Sequence, residues 1–232
     1  NKGLASATAL STIIHPKNPY APSVHMHISW TEMKTGKGYW RIMADLNPAI
    51  ENKQATELFD YALKKAASEQ YQIAVAQGER YFYIPALERH RGVAHFYLEE
   101  YASDNQQADF DLARTLGQAV INCYVSILQQ AILDFPNPTE ESFISQLAYH
   151  TLYLFQVLTL DRGTTSGLLV HNQNDVGIMG SLPAHVDKEL LASWQDKLAS
   201  PQDQLLAAII DVLPDTKPCV IDEKVKILLA DV

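Results

Sequence analysis

Cysteine is scarce: Cys123 and Cys219 are the two in 232 residues, far apart and outside any CxxC spacing. That argues against a disulfide scaffold or a zinc ribbon and points to a reducing compartment. Positive charge is short as well, with 18 Lys+Arg against 27 Asp+Glu and a net charge of −9. A polyanion needs a basic face, so no nucleic-acid partner is expected. A few buried arginines could still hold a carboxylated small molecule. The longest apolar runs are brief, such as residues 205–212, which Asp211 interrupts. None approaches the roughly 18 consecutive apolar residues of a membrane span. Glycine numbers only 10 and no GxGxxG or Walker loop occurs, so nucleotide binding has no support. Repeats, low-complexity tracts, a clear linker and a signal-peptide pattern are all missing. The expectation is a soluble, cytoplasmic protein with one domain over residues 1–232.

What is present is enough apolar material for a core. Hydrophobic residues make up 47% and charged residues 19%, a balance that argues against disorder. Residues 23–31 alternate, with Val24, Met26, Ile28 and Trp30 on one face and His25, His27 and Ser29 on the other. Residues 38–46 do the same: Trp40, Ile42, Ala44 and Leu46 oppose Tyr39, Arg41, Met43 and Asp45. Lys34-Thr-Gly-Lys-Gly38 between them has hairpin composition. Whether His25 and Asp45 share a face depends on register. The apolar spacing predicts helices over residues 52–77, 110–133 and 139–154, then over 189–199 and 202–212. Further strands are predicted at 80–84, 92–99, 155–160, 167–171 and 177–182. The fold class is α+β, a mainly antiparallel sheet with helices packed on it.

Among eight histidines, His25 and His27 have the i, i+2 spacing that can chelate a metal from one strand face. Asp45, His90 and His95 are the candidates for a third ligand, none at a diagnostic spacing, and no metal is expected. His15, His150, His171 and His185 have the setting of ordinary loop or helix-face residues. Three acid and base spots remain. Asp45 ends a strand before Asn47-Pro48, where an N-cap is the plain alternative. Glu88-Arg-His-Arg-Gly92 is a basic cluster suited to gripping a carboxylate, or else a solvated turn. Asp161-Arg-Gly-Thr164 closes an apolar run, as a functional pair or as a structural ion pair.

Ile14-His-Pro-Lys-Asn-Pro19, Pro22-Ser-Val-His25, Ala44-Asp-Leu-Asn-Pro48, Tyr81-Phe-Tyr-Ile84, Arg91-Gly-Val93, Asp161-Arg-Gly-Thr164 and Ser181-Leu-Pro183 occur in this order. Together they resemble the oxygen-dependent coproporphyrinogen III oxidases of haem biosynthesis. The resemblance runs over residues 8–183, and residues 184–232 form a divergent helical tail. The family's usual N-terminal region has no counterpart here. The resemblance implies a flat antiparallel sheet flanked by helices on both faces, working as a homodimer. It also implies oxidative decarboxylation of two propionates of coproporphyrinogen III to vinyls, with oxygen as co-substrate and no metal or organic cofactor. By position it nominates His25, Asp45, Arg91, Asp161 and Arg162 as active-site residues.

The departures from the family pattern cluster around the substrate. His-x-Asn-x-Arg of the family reads His25-Met-His27-Ile-Ser29 here, so Ser29 stands for a propionate-binding arginine. Arg41, Ile42 and Met43 replace three glycines, Ala86-Leu87-Glu88 replaces His-Arg-Gly, and Phe155-Gln156-Val157 replaces Glu-Phe-Asn. Arg41, Ser29 and His27 are therefore the candidate substrate-binding residues, with Arg41 either supplying the charge absent at Ser29 or filling the former glycine space and pairing with a surface acid. The alternatives are a relative that binds a tetrapyrrole or other carboxylated ligand without oxidising it, and a dimeric protein with no pocket chemistry.

Overall fold

A computed structural model of the protein describes residues 3–160 and 179–232. The chain forms two compact units, Asn1–Tyr83 with Gly92–Pro138 and Ile84–Arg91 with Thr139–Val232.

The first unit is built on strands β1 (Leu4–Ile14), β2 (Ser23–Met33) and β3 (Gly38–Asn47), followed by helices α1 (Lys53–Ala66) and α2 (Tyr71–Tyr81). The short extended pieces β4 (Tyr83–Ile84) and β5 (Arg89–His90), which flank a 3-10 turn, come next, with Ile84–Arg91 counted in the second unit. The first unit resumes with β6 (Ala94–Tyr101) and α3 (Gln106–Asp134). The sheet is antiparallel with strand order β1-β2-β3-β6, as the α+β expectation requires. The predicted hairpin is present, closed by the Met33 amide donating to the Lys37 carbonyl at 2.8 Å. One sheet face carries Val24, Met26, Ile42, Ala44, Leu46, Phe96 and Leu98 into the core. There they meet Phe59 and Leu63 of α1 and Leu116, Val120 and Ile127 of α3. Phe59 is completely buried, so Phe59→Ala should cost ~3–5 kcal/mol in denaturant melts, the range for emptying an aromatic core site. The end of α2 reaches over the opposite face at its β6 edge, where Phe82 stacks on His95. Helices therefore contact both faces of this sheet.

Several predicted elements differ. The single helix over 52–77 is broken, because Ala67 leaves helical space with φ −136 and ψ 49. Apolar residues continue across that break, so periodicity alone does not see it. Arg80 and Tyr81 end α2 rather than opening a strand. Strand β1 was not predicted: it is an edge strand exposed over most of its length, so neither face needs to be apolar. Among the described residues, α3 is the one helix long and apolar enough to cross a membrane. Its apolar residues are interspersed with polar ones, which a search for unbroken runs misses, and its Leu116 to Ile127 row packs on the sheet.

The second unit centres on α4 (Glu140–Thr159), capped by the Thr139 side chain accepting from the Ser142 amide. Every residue from Tyr149 to Thr159 is buried, which overturns the strand predicted at 155–160. A helix buried all round shows the same unbroken apolar run as a buried strand. Around it lie β7 (His185–Val186), α5 (Lys188–Ala192), α6 (Gln202–Val212), β8 (Cys219–Val220) and α7 (Glu223–Ala230). The predicted helix at 202–212 is present, whereas 189–199 divides into α5 and a 3-10 turn at Gln195–Lys197. The Thr151 hydroxyl accepts from the Asp187 amide at 2.8 Å, and the Phe155 and Trp194 rings meet edge to face. The strand predicted at 167–171 lies outside the described residues, and 179–182, the described part of the last one, is not a strand.

Candidate active site

Antiparallel pairing places directly opposed residues on the same face. His25 pairs with Asp45 across β2 and β3, and Asp45 with His95 across β3 and β6. His25, Asp45 and His95 thus form one rung across the polar side of the sheet. The next rung runs His27, Met43, Tyr97, and beyond it Ser29 stands opposite Arg41. The register that sequence left open brings His25 and Asp45 together.

Asp45 is completely buried and His95 nearly so. His95 Nε2 lies 3.5 Å from Asp45 Oδ1, and its Nδ1 lies 3.0 Å from Glu79 Oε1. Phe82 stacks on the imidazole with centroids 5.0 Å apart. Gly78 lets α2 approach, since a Cβ there would fall 2.7 Å from the His95 Cβ. Asn47 donates to the Asp45 carbonyl at 3.1 Å. Asp45 lies within β3 and Asn52 caps α1, so the N-cap alternative for Asp45 does not hold. Met43, Phe82 and Tyr97 form a buried cluster on this face. Beside it, a cleft of about 600 Å³ is lined by Gln77, Arg80, Tyr81, Tyr97, Glu99 and Glu100.

The other nominated residues have distinct settings. His27 Nε2 and Ser29 Oγ are 3.1 Å apart, so these two bond to each other along β2. Arg41 pairs with Glu99 at 3.4 Å, both side chains well exposed. In the second unit Arg91 is 1% exposed, and its guanidinium lies 5.3 Å from the Tyr153 ring centroid, within cation–π reach. Tyr153 donates its hydroxyl to Ser181 at 3.3 Å, so two separate sequence motifs meet at one tyrosine. Arg91 is therefore no solvated turn residue. Asp161 and Arg162 lie outside the described residues. Among the described residues, no three His, Cys, Asp or Glu side chains come together as metal ligands. Burial raises the pKa of both cysteine thiols, which disfavours the nucleophilic thiolate.

Sequence reasoning missed Glu79, Phe82, Tyr97 and Tyr153 as site residues and had His95 only as a metal candidate. Glu79 and His95 lie on different elements, and only packing of α2 on β6 brings them together.

The family model described as coproporphyrinogen III oxidase matches residues 2–213. The chain belongs to the coproporphyrinogen III oxidase family. The match continues past Pro183, where the sequence motifs stop. The mitochondrial oxygen-dependent coproporphyrinogen-III oxidase of Rattus norvegicus is 28% identical over 220 residues, covering 91% of this chain and 48% of the relative. The oxygen-dependent coproporphyrinogen-III oxidase of Rickettsia akari is 31% identical over 188 residues, covering 79% of this chain and 66% of its own length. That of Drosophila melanogaster is 28% identical over 211 residues, covering 88% of this chain and 53% of its own. The chain spans about half to two thirds of these coproporphyrinogen oxidases.

Proposed function

We propose that this protein oxidatively decarboxylates coproporphyrinogen III, turning two propionates into vinyl groups, as a cytoplasmic homodimer. Molecular oxygen is the co-substrate, and no metal or organic cofactor is assigned. The observation that carries the proposal is the pairing of His25 with Asp45 on one sheet face, in a chain of this family. The Asp45 carboxylate suits pyrrole N–H donors and can accept a proton during reaction. Its negative charge also offsets positive charge developing in the electron-rich macrocycle. Each vinyl forms as a carboxylate leaves as CO₂ and the chain loses one proton and two electrons, the electrons passing to oxygen. Arg91 and Arg162 are assigned to propionates, with Asp161 orienting Arg162.

One observation favours a second reading. Asp45 is fully buried, and Met43 packs with Phe82 and Tyr97 where the family pattern has small glycines. A site filled in this way suits binding of a tetrapyrrole or another carboxylated ligand without its oxidation. An assay with anaerobically prepared porphyrinogen, followed by admission of oxygen, separates the two. Vinyl product with CO₂ release supports the oxidase; saturable binding without product supports the second reading.

Arg41 supplies a further test. It stands opposite Ser29 on the neighbouring strand, with its guanidinium paired to the exposed Glu99, from which a propionate would draw it. Arg41→Ala should weaken binding of a propionate-bearing porphyrin by roughly 1.5–3 kcal/mol, the scale of a charge-assisted hydrogen bond. The loss should vanish with the propionate methyl esters in the same fluorescence titration. Equal losses for acid and ester would remove Arg41 from ligand recognition.

A further inference from the structure

We propose that His95 is a positioning residue that governs the proton on Asp45 and connects this buried carboxylate to solvent through Glu79. The three groups come from different elements: Glu79 from α2, His95 from β6 and Asp45 from β3. Burial is graded along the line, with side-chain exposure of 49% at Glu79, 2% at His95 and 0% at Asp45. The arrangement runs from water to the interior in two steps.

Protonation follows from what each atom faces. An ionised Glu79 carboxylate is an acceptor only, so at 3.0 Å it requires the proton on Nδ1. Nε2 then faces Asp45 Oδ1 at 3.5 Å. Two bare lone pairs opposed in a dry interior repel, so the Nε2 and Oδ1 pair holds at least one proton. That proton resides on the ring or on Asp45. When Asp45 releases a proton to Nε2, the Nδ1 proton can leave to Glu79 and from there to water. When Asp45 takes one up, the sequence reverses. Atoms and charge balance with no other reagent, because the proton taken in at one end equals the one released at the other.

The surroundings favour this use of the ring. Phe82 stacks at 29° to the imidazole and limits its tilt, and Gly78 lets the helix approach closely enough for Glu79 to reach. Among the described residues, the titratable groups facing the line include Glu79 and Tyr81 from α2, Asp45 from β3 and Tyr97 from β6, with His25 on β2 next along the rung. The functional part of this inference rests on Asp45 being the acidic group of the proposed oxidase; the structural part does not.

The test uses full-length protein with ¹⁵N-labelled histidine and reads the His95 tautomer and ring-proton exchange by NMR, in wild type, Glu79→Ala and Asp45→Asn. Wild type should carry its proton on Nδ1 and exchange it with water through Glu79. Glu79→Ala should slow that exchange at least about 10-fold and populate both tautomers. Asp45→Asn, whose amide can donate to Nε2, should favour the Nδ1 tautomer. A wild-type ring protonated only on Nε2, or exchange unchanged in Glu79→Ala, overturns the proposal. In the oxygen assay Glu79→Ala should lower kcat about 10-fold with KM within threefold. If wild type shows no turnover, the oxidase proposal falls while the NMR result still decides the role of His95.

Discussion

Asp45→Asn is expected to lower turnover of coproporphyrinogen ~1,000-fold while leaving the fold intact. The substitution keeps size and shape but removes a negative charge and a proton acceptor from a fully buried position. Proton transfer by a positioned side chain contributes ~10²–10⁴-fold, and the lost charge would have stabilised the cationic macrocycle. Stability should change little, because an amide of the same size keeps a hydrogen-bonding group facing His95 Nε2. The measurement is single turnover: substrate bound anaerobically, oxygen admitted, and vinyl product quantified by chromatography, alongside a thermal melt. Product formed by the variant at the wild-type rate would remove Asp45 from the chemistry. If neither protein forms product but both bind porphyrin, the binding-only reading gains.

The second large effect concerns the backbone that packs against this carboxylate. Gly92→Ala should destabilise the protein by ~3 kcal/mol, lowering Tm by ~6–12 °C at this chain length. Gly92 has φ +80 and would place a Cβ 2.4 Å from Asp45 Oδ1, 2.7 Å from the Leu46 carbonyl oxygen and 2.8 Å from Asn47 Oδ1. The left-handed conformation alone costs an L-residue ~1–2 kcal/mol, and forced overlap in a packed interior adds ~1–3 kcal/mol. The chain cannot easily back away, since the Val93 amide donates to the Leu46 carbonyl at 2.9 Å. Gly36 is the control: its φ is +79, yet a Cβ there meets nothing within 4 Å. Gly36→Ala should therefore show only the backbone cost, and urea melts of both variants would separate the two contributions. Similar losses at both positions would mean that the contact with Asp45 carries no strain.

The amino-acid sequence by itself determined the α+β class, the β2–β3 hairpin, the polar and apolar faces of its strands, and α6. Those features follow from local chemistry: period-two alternation, turn residues and helical spacing all act over a few neighbours. The ordered motifs from Ile14 to Pro183 also carried the family assignment. The same local rules misjudged β1 and the end of α4 for opposite reasons. One is exposed along most of an edge, and residues 149–159 of the other are buried around the whole circumference, so neither shows a two-faced pattern. Only the tertiary structure decided the rest. Register put His25 opposite Asp45 and Arg41 opposite Ser29, and a shift of one residue would have separated the faces. Packing of α2 over β6 brought Glu79 to His95 across sixteen positions, and α4 placed Tyr153 against both Arg91 and Ser181. Such contacts depend on how whole elements settle on one another, a property that no short window of residues contains.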